Sequence, residues 1–215
     1  DKTEFVFTTE ADGPFPMTGF FKKRFEEYGI QCVELAPLKE VDTVNKTLIF
    51  DKGREGEVVD PLSFDLLMAA FPLSAPPAFQ SLCDDNRLIV SDPRSMKTQW
   101  EGVWALGDCA RMPLTSGSMH PKSGSFAMCQ AEALAQNLEA LVRSNGKSDA
   151  GAENLGIAQC DTEVGNNEGA CVSVNLMGGP TSRFELSPVS EQAIEDKLEW
   201  ICSSIHSWFK ERPNF

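Results

Sequence analysis

Two short motifs, Gly107-Asp108 and Pro121-Lys122-Ser123-Gly124, hold the side chains of this sequence best suited to gripping a ligand. Gly107 removes the side chain that would block close approach, and the Asp108 carboxylate accepts hydrogen bonds from ligand hydroxyls. The second motif opens an Ala-rich helical pattern ending near Asn145-Gly146. A helix start presents unpaired N–H groups and a partial positive charge, to which Lys122 adds a full one, so carbonyl oxygens or developing anions are attracted there. Each motif also has an ordinary reading: Gly-Asp is a common turn, and a helix start can simply pack on a sheet. His120, beside Pro121, reads either as a proton relay or as a solvated loop histidine. The seven cysteines show no Cys-x-x-Cys or Cys/His spacing that would hold a metal. Free cysteine is usually a small buried hydrophobe.

The elements that must position these residues follow from periodicity. Glu4 to Thr9 reads as a strand, ended by a loop from Ala11 to Pro16, and Met17 to Tyr28 as an amphipathic helix capped by Gly29. Ile30 to Leu35 and Lys46 to Phe50 read as strands separated by turns, and Ser63 to Phe71 as a buried apolar strand ending at Pro72. This order predicts an α/β pattern with a parallel pair. Ser74 to Phe79 is a Pro-rich hinge, Leu88 to Val90 a short strand, and Val103 to Leu106 a central strand running into the Gly-Asp corner. Ligands of open α/β sheets sit outside such strand ends.

Ile157 to Val164 and Ala170 to Leu176 read as a hairpin around the five-residue loop Gly165 to Gly169. With Val164 opposite Ala170, Cys160 falls opposite Val174, on the apolar face of Ala158, Val172 and Val174. Cys171 then lies on the other face with Asp161 and Glu163, so on this register the two cysteines cannot join, although a bulge would reverse that. Gln192 to Phe209 reads as a helix with Ile194, Leu198, Ile201, Ile205, Trp208 and Phe209 on one side, packed on the protein's own surface.

Composition narrows the partners. Nineteen Lys and Arg against 32 Asp and Glu leave a formal charge of −13, which repels nucleic acid and anionic lipid headgroups. The longest unbroken apolar run, Leu66 to Phe71, is far short of the roughly 20 residues of a membrane-spanning helix. The chain begins at Asp1 without a Met, which leaves room for an upstream segment, and the compartment cannot be read from it.

The run VSDPRSMKTQWEGVWALGDCA, followed by MHPKSGSFAMCQAEALAQNL, resembles the C-terminal half of the FAD-dependent pyridine nucleotide-disulfide oxidoreductase superfamily. Within it the likeness is to sulfide:quinone oxidoreductases and to the flavoprotein subunit of flavocytochrome c sulfide dehydrogenase, and it extends more loosely from Glu4 to about Gly178. The resemblance implies a partial two-dinucleotide-binding-domain flavoprotein fold, α/β with an α+β C-terminal part. It assigns residues 1–85 to the end of a second, NAD-type domain, 86–148 to the returning segment of the FAD-binding domain, and 149–215 to a C-terminal interface domain. The Gly-rich Gly-x-Gly-x-x-Gly segment of the FAD site occurs nowhere in the chain.

On this resemblance Gly107 and Asp108 hold the ribityl and pyrophosphate part of FAD, while Pro121, Lys122, Ser123 and Gly124 lie beside the flavin's pyrimidine side. A reduced flavin is anionic at that edge, which Lys122 and the helix start would stabilise. Cys160 matches one member of a redox cysteine pair, its partner lying outside this chain, although the aromatic residue and proline that often flank it are missing here. The implied chemistry oxidises sulfide and passes electrons to quinone or cytochrome, at a peripheral membrane or periplasmic location. Two alternatives stand beside it: a related FAD-dependent NADH dehydrogenase or ferredoxin reductase in which Cys160 is inert, and a flavin-free module acting through protein contacts. Without the first FAD segment, apolar surface near Val103 to Leu106 is expected to drive self-association.

Overall fold

The structure is a computed structural model that describes residues 3–14, 17–53, 56–179 and 181–210. The chain divides into two compact units, Asp1–Phe71 and Pro72–Phe215.

In the first unit, strand β1 (Val6–Thr8) pairs in parallel with β2 (Gln31–Val33), Phe7 opposite Cys32. The connection is helix α1 (Thr18–Tyr28), which ends where expected because Gly29 takes the left-handed conformation, φ 66°. The N–H of Ile30 then donates to the Phe25 carbonyl at 2.8 Å, and the Phe25 ring meets Phe7 at 5.2 Å, fastening helix to strand. The loop expected from Ala11 to Pro16 is described only in part, Pro16 lying outside the described residues.

A second, antiparallel sheet has the order β3 (Leu38–Asp42), β4 (Thr47–Phe50), β5 (Leu62–Ser63) over a small core of Ala36, Leu48 and Phe50. Two expectations are corrected here. The segment before β4, read as turns, contains β3, because Asp42 folds a tight hairpin by accepting the N–H groups of Val44 and Asn45, each at 2.9 Å. The apolar run read as a buried strand from Ser63 to Phe71 pairs only at its start, and Leu66 and Met68 are 82% and 90% exposed. After Phe64, whose N–H still donates to the Lys46 carbonyl at 2.9 Å, no strand among the described residues takes up its backbone.

The second unit opens with a 3₁₀ helix, Pro77–Leu82, and strand β6 (Ile89–Val90), which pairs in parallel with β7 (Ala110–Arg111). Val103 to Leu106, expected as the central strand, is not one. Trp104 forms an isolated bridge with Lys97, and the Ala105 N–H donates to the Met96 carbonyl at 3.0 Å. The strand partner of β6 comes after the Gly-Asp corner, because Gly107–Cys109 form a 3₁₀ turn that carries the pairing residues onward to β7. Helix α2 (Gly124–Arg143) buries Phe126, Gln130, Ala133 and Asn137, one stripe at three- and four-residue spacing. Its Ala133 joins Ala75, Ile89, Met96, Ala105, Ala110 and Met112 in the main core.

An antiparallel sheet with the order β10 (Arg183–Leu186), β9 (Glu168–Asn175), β8 (Ile157–Gly165) completes the unit. Its hairpin differs from the five-residue loop expected: Asn166 and Asn167, at φ 54° and 59°, form a two-residue turn, which Asn tolerates in the left-handed region. The register therefore slips by two residues, with Cys160 opposite Val172 and Ala158 opposite Val174. An even slip keeps every side chain on its face, so Cys160 still shares the side of Ala158, Val172 and Val174, opposite to Asp161 and Cys171. Helix α3 (Gln192–Phe209) lies against β9 and β8, with Lys197 paired to Glu163. Among the described residues, no helix is long and apolar enough to cross a membrane.

Candidate functional site

The start of α2 is where the expected site residues converge. Ser123 occupies the cap position in an extended conformation and makes no side-chain capping bond, so the first-turn N–H groups have no acceptor from it. Its Oγ lies 3.1 Å from Ser125 Oγ, which in turn lies 3.7 Å from Cys160 Sγ on β8. The two serines and the cysteine thus form a short polar chain between helix and hairpin. Cys160 is half-buried and faces a hydroxyl rather than a purely apolar interior. One turn further along α2, the Cys129 thiol reaches the Ile157 carbonyl at 3.6 Å, and burial pushes that thiol's pKa up. Burial and then the neighbouring Asp161 carboxylate do the same to Cys171 on the opposite face of the sheet. All seven cysteines are free thiols, and among the described residues no cluster of His, Cys, Asp and Glu could hold a metal.

The Gly-Asp corner is locked to the same helix. Gly107, at φ 66°, takes the left-handed conformation that favours glycine, and its N–H donates to Gln130 Oε1 at 2.9 Å. Gln130 is 2% exposed, so this bond is shielded from water. Lys122 folds back over the corner and its Nζ donates to the Asp108 carbonyl and, at 2.6 Å, to the Ala110 carbonyl. Burial holds the Lys122 ammonium below its ordinary pKa, opposed by the charge of Asp108. The Asp108 side chain itself is exposed. Lys122, expected to face a ligand, is thus also a clamp on the corner's backbone.

His120 is not the solvated loop side chain that its position allowed. It is 6% exposed, stacks edge-on against Phe126 at 4.6 Å, and lines a groove of about 330 Å³ with Arg111, Met119 and Lys122. Its Nδ1 donates to the Pro121 carbonyl at 3.0 Å, leaving Nε2 to accept from Asn154 Nδ2 at 3.3 Å. Burial pulls its pKa below the usual histidine value.

Gly107, Asp108, Pro121, Lys122, Ser123, Gly124 and Cys160 are accordingly gathered on the start of α2 and the elements it touches. Three residues were missed from the sequence: Ser125, Gln130 and Asn154. Gln130 and Asn137 stand within the apolar stripe of α2, and a polar side chain at such a position was the available signal. Ser125 and Asn154 had none, because their partners are 35 and 34 residues away.

No protein-family model and no curated protein sequence matches this chain. Solved structures do. The sulfide:quinone oxidoreductase from the hyperthermophilic bacterium Aquifex aeolicus matches with a TM-score of 0.67 at 15% identity, over 97% of this chain and 55% of that one. A chain of the Tetrahymena thermophila mitochondrial ATP synthase tetramer matches at 0.62 and 18% identity, over 81% and 41%. The NAD-dependent persulfide reductase from A. fulgidus matches at 0.51 and 15% identity, over 80% and 32%. The chain spans about half the length of the first, two-fifths of the second and a third of the last. At these identities the likeness is one of fold: the chain has the α/β architecture of the C-terminal part of two-dinucleotide-binding flavoproteins.

Proposed function

We propose that this chain is the C-terminal portion of an FAD-dependent oxidoreductase that oxidises sulfide and passes the electrons to quinone or a cytochrome. In this reading residues 1–85 end an NAD-type domain, 86–148 return to the FAD-binding domain, and 149–215 form an interface domain. The observation that carries it is the polar chain from the uncapped α2 start through Ser125 to Cys160, beside the clamped Gly-Asp corner. The residues present fit half of a flavin: the exposed Asp108 carboxylate suits ribityl hydroxyls, Gly107 leaves room beside it, and the N–H groups at Ser123 and Gly124 suit the pyrimidine carbonyls. The flavin, when bound, supplies the two-electron acceptor.

The chain's own contribution is binding and sulfur chemistry. Lys122 and the helix start favour negative charge at the pyrimidine edge, while Gln130 holds the corner in register. Cys160 forms a disulfide with a cysteine outside these residues. Hydrosulfide attacks that bond; one sulfur leaves as thiolate and the other carries the persulfide. The Ser125 hydroxyl can donate to Cys160 Sγ in its thiolate form, which favours it as the leaving group.

Anaerobic mixing of the full-length flavoprotein with sulfide or with NADH tests the reading. Bleaching by sulfide alone supports it; bleaching by NADH alone, with Cys160 equally alkylated whether or not sulfide is present, makes it the related NADH-linked enzyme. A second reading is favoured by the match to a chain of an ATP synthase assembly. A flavin-free module that acts through protein contacts would leave the full-length protein colourless after purification.

A further inference from the structure

Three separate segments of the second unit meet at one buried asparagine. Asn154, 1% exposed, donates through Nδ2 to the Pro93 carbonyl at 2.8 Å and to His120 Nε2 at 3.3 Å, and its Oδ1 accepts the Gly156 N–H at 3.1 Å. Its own N–H donates to the Arg94 carbonyl at 2.8 Å. Pro93 and Arg94 belong to the turn after β6, His120 lies in the segment leading into α2, and Gly156 immediately precedes β8, which carries Cys160. The amide has no spare orientation, because turning it over would face Nδ2 to the Gly156 N–H and abandon Pro93.

We propose that the His120–Asn154 contact is a proton-operated joint: neutral His120 ties the start of α2 to the hairpin, and protonation at Nε2 opens it. With Nδ1–H already given to Pro121, a second proton can go only to Nε2, where it would meet the donor Nδ2 of Asn154. Two buried donors facing each other cost more than the hydrogen bond they replace. Among the described residues, the charged groups of the groove and of the turn after β6 are cationic or already paired. Phe126 covers one side; the groove on the other carries two cations, Lys122 and Arg111, the latter paired with Asp84. Glu153, next to Asn154 in the chain, is paired with Arg94 at 3.3 Å, and Asp92 is turned onto the N–H groups of Arg94 and Ser95. The lowered histidine pKa in the folded protein agrees in sign. The unfolded chain then binds the proton first, so the joint's contribution is complete above about pH 6.5 and is lost as pH falls below it. This inference does not depend on flavin binding or on sulfide chemistry.

Urea unfolding and hydrogen exchange of the whole 215-residue chain across about pH 5 to 8 test it, a window in which histidine is the side chain that ordinarily titrates. The chain has two histidines, so His206→Gln is the control and His120→Gln, whose carbonyl accepts from Asn154 at any pH, is the test. The expected result is a folding constant that falls below pH 6.5 by up to about tenfold per unit, the limit for one proton. Gly156 amide protection should fall in parallel, and the slope should persist in His206→Gln and flatten in His120→Gln. A slope unchanged in His120→Gln, or abolished in His206→Gln, overturns the joint. Should His120→Gln not fold, nitrogen NMR of the wild-type imidazole decides: protonation of His120 with undiminished Gly156 protection refutes the proposal, and loss of both together upholds it.

Discussion

Replacing Gln130 by Met isolates the bond that ties the Gly-Asp corner to α2. The Gly107 N–H donates to Gln130 Oε1 at 2.9 Å, and Gln130 is 2% exposed, so Met fills nearly the same volume while offering no acceptor. A buried donor left without a partner costs roughly 1–3 kcal/mol. Gly107 is itself only half-buried, so water can reach part of it, and Met spares the desolvation of an amide; both push the figure toward the lower half, about 1–2 kcal/mol. For a unit of this size that is a fall in Tm of about 2–8 °C. The measurement is the urea midpoint of the Pro72–Phe215 unit at unchanged m value, together with exchange of the Gly107 amide, which should lose protection. A midpoint shift worth less than about 0.5 kcal/mol with the Gly107 amide as protected as before would refute the claim that this bond holds the corner.

Gly107→Ala should cost about 1–2 kcal/mol by denaturant melting, from the left-handed φ of 66° rather than from a clash, because an added Cβ would sit 3.7 Å from Ala127 Cβ. Lys122→Met removes two hydrogen bonds to backbone carbonyls; as the side chain is partly exposed, the loss should be about 1 kcal/mol, accompanied by faster exchange around Cys109 and Ala110, and weaker flavin binding wherever flavin binds. Gly169→Ala should loosen α3 from the hairpin, since its Cβ would meet Ile194 Cδ1 at 2.9 Å and the Thr162 carbonyl at 3.0 Å; circular dichroism melts should show an earlier transition and a Trp208 fluorescence change. Val103 to Leu106, expected to drive self-association, is half-buried or buried, with Ala105 4% exposed; sedimentation at micromolar concentration should still show self-association of the isolated chain, through surface such as Leu66, Met68 and Phe71, and a single monomeric species would contradict it.

Local signals carried far in this chain. Gly29 set the end of α1, Phe126 and Ala133 marked part of the buried face of α2 while its polar members Gln130 and Asn137 went unread, and the apolar stripe of α3 gave its bounds to the residue. Alternation along β8 and β9 placed Cys160 and Cys171 on opposite faces even though the register was two residues off, because a slip of two leaves faces unchanged. These features depend on residues within a turn or two of one another. What tertiary structure alone decided depends on distant partners. Val103 to Leu106 is as apolar as a strand, yet its backbone goes to Met96 and Lys97 and the pairing falls to Ala110 and Arg111. Ser63 to Phe71 is as apolar again, yet beyond its pairing at Ser63 only Phe64 and Leu67 reach the core while Leu66 and Met68 stay exposed, because a strand is made by a neighbour and not by composition. The meeting of Ser125 with Cys160, and of His120 with Asn154 and Pro93, joins residues 34 to 61 positions apart, a closeness that only the folded chain supplies.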